Sequence, residues 1–168
     1  MKSNEKGNAM SRQPALENQQ VNEVASLMIP IVDRVLLVPT VTVAEMIPYQ
    51  EPMRNPEAPD WYLGDFGWRE RQVPLVSFEL INGEAKPNYG SGCRIAVLNN
   101  TGVNEKLPFL GIAAQGIPRL SRVKADEIQE MEGKSLRRYE LMAVSHAGEE
   151  VIIPDVTALE QAIVEYII

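Results

Sequence analysis

One cysteine and one histidine are all this chain contains of the two most versatile catalytic and metal-binding side chains. Cys93 has no partner for an intramolecular disulfide, and its surroundings hold no zinc-ligand spacing. It precedes the apolar run Ile95-Ala96-Val97-Leu98, so we read it as a packed, unreactive thiol. His146 stands beside Ala147-Gly148, where a solvated turn residue is expected. Acid–base catalysis most often recruits histidine, and no nucleophile pairs with this one in sequence. No metal cluster and no glycine-rich phosphate loop is visible, so no cofactor is expected. Long apolar runs are also missing, and none approaches the length of a membrane span. The N-terminus has lysines but no apolar core of a secretory signal. Basic blocks are absent too. Lys and Arg number 16 against 23 Asp and Glu, giving a net charge of −7. That balance opposes binding to a nucleic-acid backbone or an anionic membrane leaflet. A soluble, cytoplasmic protein that does not insert into membranes is the expectation.

What is present is a chain of strands. Residues 1–22 are polar and poor in apolar anchors, so they read as a disordered tail. Residues 23–168 form the domain. Ser26–Val32, Val35–Pro39 and Val41–Ile47 read as strands, with Asp33-Arg34 as a turn. Residues 48–60 hold four prolines and read as an extended loop. Arg94–Leu98, Leu107–Ala114, Tyr139–Val144 and Glu150–Pro154 continue the strand pattern. Lys124–Met131 reads as a short helix or a charged loop. The C-terminus carries one clear helix. There Thr157 and Glu160 are spaced as a capping box, and Leu159, Ala162, Ile163, Tyr166 and Ile167 share a face. The helix is expected to pack on the second of two lobes. Many short strands and one helix indicate a mainly β, barrel-type fold.

The densest information lies between Pro59 and Leu80. It reads as a strand, a tight charged turn and a second strand that ends at Ile81-Asn82-Gly83. Trp61, Phe66 and Trp68 are expected to crowd around Arg69. The guanidinium of Arg69 can stack on Trp61 or Trp68 and fix the loop, or face a partner's carboxylate. Trp68 fits a core position and a buried interface anchor equally. Asp65, Glu70 and Glu79 read as a wet, charged face.

This hairpin resembles the CheW family of chemotaxis coupling proteins. Leu63-Gly64, Trp68-Arg69 and Pro74-Leu75-Val76 match the family's hairpin pattern. Val43–Ile47, Leu110–Ala114 and Ile152–Asp155 match its flanking segments in the same order. Four positions depart from it: Gly67, Glu70, Ser77 and Gln115. Glu70 stands where the family has glycine. These departures suit a divergent member, similar to the coupling proteins of the chemosensory system that drives type IV pili and twitching motility. The resemblance implies two small five-stranded β-barrels packed together, with a C-terminal helix and no enzymatic activity. It implies two partners: the regulatory domain of a CheA-type histidine kinase and the cytoplasmic tip of a methyl-accepting receptor. Arg69, Trp68, Gly64, Pro74, Val41, Val43 and Ile47 are the partner-binding candidates. Two other readings stay open on the residues alone: a small-barrel enzyme or ligand-binding domain of unknown substrate, and a nucleic-acid-binding barrel, which the acidity opposes.

Overall fold

The computed structural model describes residues 23–167. The tail read at 1–22 lies outside the described residues. Among the described residues, eleven strands form two sheets. β1 (Glu23–Ile31) and β2 (Arg34–Pro39) open the chain. β3 (Val43–Pro48), β4 (Tyr62–Trp68), β5 (Arg71–Val76), β6 (Arg94–Asn99) and β7 (Phe109–Ala114) make a five-stranded sheet in the order β3-β6-β7-β5-β4. The chain then returns. β8 (Arg119–Lys124), β9 (Ile128–Glu130), β10 (Glu140–His146) and β11 (Glu149–Pro154) join the first hairpin in the order β8-β1-β2-β11-β10-β9. Two α-helices complete the described residues, α1 (Phe78–Ile81) and α2 (Val156–Ile167). The expected class holds, a mainly β pair of packed sheets with a C-terminal helix. The detail differs, because one sheet has six strands and neither ladder closes into a barrel.

The period-2 alternation of strands explains the packing. Ala96 and Leu98 of β6 face a cluster between the sheets, while Ile95 and Val97 face the interior of the five-stranded sheet. β1 and β2 divide likewise. Ile29, Ile31, Leu36 and Val38 enter the shared cluster, and Met28 and Leu37 the interior of the six-stranded sheet. Strands buried on both faces read as continuous apolar runs, which is why 95–98 and 110–114 were plain in sequence. Burying each such leucine or isoleucine contributes about 1.5–3 kcal/mol. Gln115 helps join the sheets, since its backbone N–H donates to the Pro30 carbonyl at 2.8 Å.

α2 does not pack on one lobe alone. Leu159 and Ile163 enter the shared cluster. The capping box does not form either. Asp155 caps the helix by accepting from the Ala158 N–H at 3.0 Å. Glu160, 1% exposed, turns sideways and accepts from the Thr101 N–H at 2.6 Å and from the Thr101 hydroxyl. A tertiary donor has displaced the local one.

Other readings change with burial. The second hairpin strand stops at Val76, and Ser77 caps the short helix α1 by accepting from the Leu80 N–H at 3.2 Å. Serine and aspartate are both good caps, so this departure from the family keeps the turn. Lys124–Met131 is neither helix nor plain loop. It is a 3-10 turn at Ala125–Glu127 followed by β9. His146 is no solvated turn residue. It ends β10, is 6% exposed, and lies 2.9 Å from the Ser121 hydroxyl through Nε2. Cys93 is buried as expected. Arg34 of β2 is held by Glu84 and Glu140, and Arg137 also reaches both carboxylates.

Glu79 is not on a wet face. It is 1% exposed, and accepts from the Val32 N–H at 3.4 Å and the Ser77 hydroxyl at 3.2 Å. Burial raises its pKa above the usual carboxylate value, more than these bonds lower it. The folded state therefore holds the proton to higher pH than the unfolded chain does. Its stability contribution is full in acid and is lost as pH rises through the unfolded value and then the raised folded value. Glu79→Gln keeps an acceptor for Val32 and removes the ionisation. Urea melts should find this variant more stable than wild type at pH 7, with the gap closing towards pH 4. A gap of constant size would contradict the account.

Candidate docking surface at the hairpin tip

β4 and β5 are joined by a two-residue loop, Arg69-Glu70, with Trp68 opposite Arg71. Both loop residues have positive φ, 46° at Arg69 and 62° at Glu70. This is the pattern of a type I′ turn, whose twist matches that of the flanking strands. Such turns favour Asn-Gly, and a non-glycine residue there is strained. Glu70 nevertheless adopts the conformation, and Gly67 does not relieve it, since its φ is not positive.

The tip is fixed from the far edge of the sheet. Trp68, 7% exposed, donates its indole N–H to the Glu45 carboxylate of β3 at 2.7 Å. Arg69 stacks over Trp68 with Cζ 4.5 Å from the ring centroid, and its Nη2 lies 3.4 Å from the same carboxylate. The two contacts differ in weight. A hydrogen bond to a charged group contributes about 1.5–3 kcal/mol. An exposed ion pair contributes roughly 0–1 kcal/mol, and the Arg69 side chain is 66% exposed. Trp68–Glu45 therefore holds the structure, and Arg69 rests on it with its charge open to solvent.

A backbone bridge joins the same two margins. Met53, in the segment after β3, and Asp65 of β4 exchange N–H···O bonds of 2.7 and 3.0 Å. Gln50 adds a side-chain bond to the Gly67 carbonyl at 3.0 Å. Gly64 makes this approach possible. Its φ is +135°, and a Cβ there would lie 2.4 Å from the Met53 carbonyl oxygen. Tyr62 donates its hydroxyl to Asp65 at 2.5 Å. Burial, and next this carboxylate, hold the Tyr62 phenol far above its ordinary value, so it stays a donor.

The candidate residues thus fall in different places. Arg69 and Trp68 meet at the tip. Gly64 is buried and acts through its backbone. Pro74 is buried in β5 opposite Asp65. Val41 lies outside the strand, on a 3-10 turn, and is 83% exposed. Val43 and Ile47 are half-buried and pack on the shared cluster and on the five-stranded sheet's own core. Trp61 does not approach Arg69. It packs with Tyr62 and Tyr166 at the other end of β4, at centroid distances of 6.0 and 6.4 Å. Phe66 is in the core. Sequence reasoning missed Glu45 as a site residue, although it stands inside the segment that carries the family resemblance.

No group of three or more His, Cys, Asp or Glu side chains able to hold a metal occurs among the described residues. No helix among them is long and apolar enough to cross a membrane. The class of protein so defined is a two-sheet β domain with an exposed cation on an aromatic hairpin tip. A CheW-like domain profile matches residues 25–163, and the chain belongs to that family. Its fold is similar to that of the scaffolding protein TtCheW from Thermoanaerobacter tengcongensis, with a TM-score of 0.66 at 13% identity. The similarity covers 78% of this chain and 83% of that one. No curated protein sequence matches it.

Glu70→Gly should relieve the turn without moving it. The expected gain is about 1 kcal/mol in urea melts, from the left-handed cost at a non-glycine residue, less the added unfolded-state entropy. A loss of stability would show that the Glu70 side chain makes a contact that offsets its strain.

Proposed function

We propose that this protein is a non-enzymatic chemosensory adaptor that couples methyl-accepting receptors to a CheA-type histidine kinase. The observation that carries the reading is the tip itself, within a CheW-like domain that matches residues 25–163. A buried indole is locked to a carboxylate, and an arginine stacked on it keeps its charge available. A pre-positioned guanidinium recognises the carboxylates of a receptor helix at little cost in ordering. The apolar strand margins suit the kinase regulatory domain, because sheet edges add to a partner sheet through main-chain bonds. Partner-binding roles for Arg69, Trp68, Val41, Val43 and Ile47 belong to this reading, with Gly64 and Pro74 shaping the strands beneath them.

The finer reading is a ChpC-type coupler, acting in the cytoplasm on type IV pili and twitching motility. Its support is the set of departures at Gly67, Glu70, Ser77 and Gln115. Glu70 between Arg69 and Arg71 changes the charge pattern at the tip, and charge pattern selects partners.

Capture by the full-length protein tests the reading. Immobilised protein should retain both the regulatory domain of its cognate kinase and a cytoplasmic fragment of its cognate receptor. Arg69→Glu should weaken receptor retention by about tenfold or more and leave kinase retention unchanged. Failure to retain either partner would overturn the proposal.

A further inference from the structure

Beside the hairpin tip, a second surface of different chemistry opens between β5 and the loop that leads into β7. The ladder between these strands is short, pairing only Leu75 with Gly111 and Val76 with Ile112. The Arg71–Pro74 half of β5 therefore runs beside a cleft of about 450 Å³. Its walls include buried Val73 and Pro74 and half-buried Phe109.

Two cations line this cleft, Arg71 and Lys106, and neither has a carboxylate within ion-pair distance among the described residues. That is notable in a chain of net charge −7, where acidic groups are plentiful. Arg71 is positioned through its side chain, and Lys106 only through its backbone. Arg71 Cζ lies 5.6 Å from the Phe109 ring centroid, and Phe109 meets Trp68 edge to face at 4.8 Å. Lys106 rides on an Asx turn, with its backbone N–H donating to the Asn104 side chain at 2.8 Å. Asp65 also lines the cleft, engaged by the Tyr62 hydroxyl. Its charge disfavours a doubly charged anion and leaves room for a single carboxylate near the cations.

The backbone adds a second requirement. Asp65 spends its N–H and C=O on Met53, away from β5. Its partner Pro74 is therefore at a non-hydrogen-bonded position of the β4–β5 ladder, and so is Gln72, two residues earlier opposite Gly67. The Gln72 N–H and C=O point towards the cleft. Proline at 74 has no N–H to offer, and its carbonyl adjoins the Leu75–Gly111 pairing of β5 with β7, so the free margin is the N–H and C=O of Gln72 beside two cations.

We infer that this cleft is a docking slot for an extended segment of a partner protein that carries a carboxylate side chain between apolar residues. The segment lies along β5, exchanges main-chain bonds with Gln72, sets its carboxylate between Arg71 and Lys106, and buries apolar side chains on Val73, Pro74 and Phe109. This surface is additional to the Arg69 tip. Its test uses neither kinase nor receptor, so it stands or falls apart from the coupling role.

The probe is the blocked peptide acetyl-Ser-Val-Glu-Val-Ser-amide, which carries one carboxylate between two valines, titrated into isotopically labelled full-length protein and followed by amide NMR shifts. Shifts should concentrate at Gln72, Val73, Lys106 and Phe109. The glutamine version of the peptide should bind about tenfold more weakly or worse, because it lacks charge-assisted bonds. Arg71→Gln with Lys106→Gln should produce the same loss with unchanged dispersion of the remaining amides, since both side chains are exposed. Equal binding of the two peptides, shifts centred elsewhere, no shifts at millimolar peptide, or unweakened binding by the double variant would each overturn the inference.

Discussion

The five-stranded sheet has two margins that no ladder joins, and the hairpin tip depends on how they are joined instead. β3 and β4 lie at opposite ends of the strand order. The Met53–Asp65 bridge, the Gln50–Gly67 bond and the Trp68–Glu45 bond span the gap. The six-stranded sheet is spanned in a similar way. A single guanidinium nitrogen of Arg119, Nη2 on β8, lies 3.0 and 2.9 Å from the two carboxylate oxygens of Glu149 on β11, an exposed pair, and Ser121 meets His146. Each sheet thus curls on itself and is fastened by a few polar contacts.

These fastenings set what the surface can do. A tip supported only by its own two-residue turn would hold two strained residues with nothing to keep them in register. With Glu45 beneath it, Trp68 becomes a fixed base and Arg69 a charge on that base. The same aromatic pair continues through Phe109 to Arg71. One row of side chains, Arg69, Trp68, Phe109 and Arg71, therefore places a cation at either end of two rings. Glu70 adds a negative charge between Arg69 and Arg71, beside this row.

Much of this was legible in sequence, for identifiable reasons. Strands buried on both faces, such as β6 and β7, advertise themselves as unbroken apolar runs. Short hairpins are marked by their turns, and the Ala147-Gly148 and Arg69-Glu70 loops fell where expected. The apolar face of α2 is local and was read correctly at Leu159 and Ile163. What was missed depends on distant partners. Glu160 leaves its helix cap because Thr101 supplies better donors. Glu79 and His146 are polar in sequence and buried in fact, since Val32 and Ser121 arrive from elsewhere to bond them. Trp61 lies only seven residues from Trp68, yet the length of β4 separates them. Closure of the two sheets leaves no sequence mark at all, apart from Gly64, whose missing Cβ admits the Met53 backbone.

The account rests on the seam between the segment after β3 and β4 being closed in the free protein, before any partner arrives. Amide hydrogen exchange at Met53 and Asp65 measures this directly. Protection at both sites close to that of Phe66, in the middle of β4, is the predicted result. Exchange at both as fast as at Glu57, in the exposed loop between β3 and β4, would mean that the seam is open and that the tip has no fixed base.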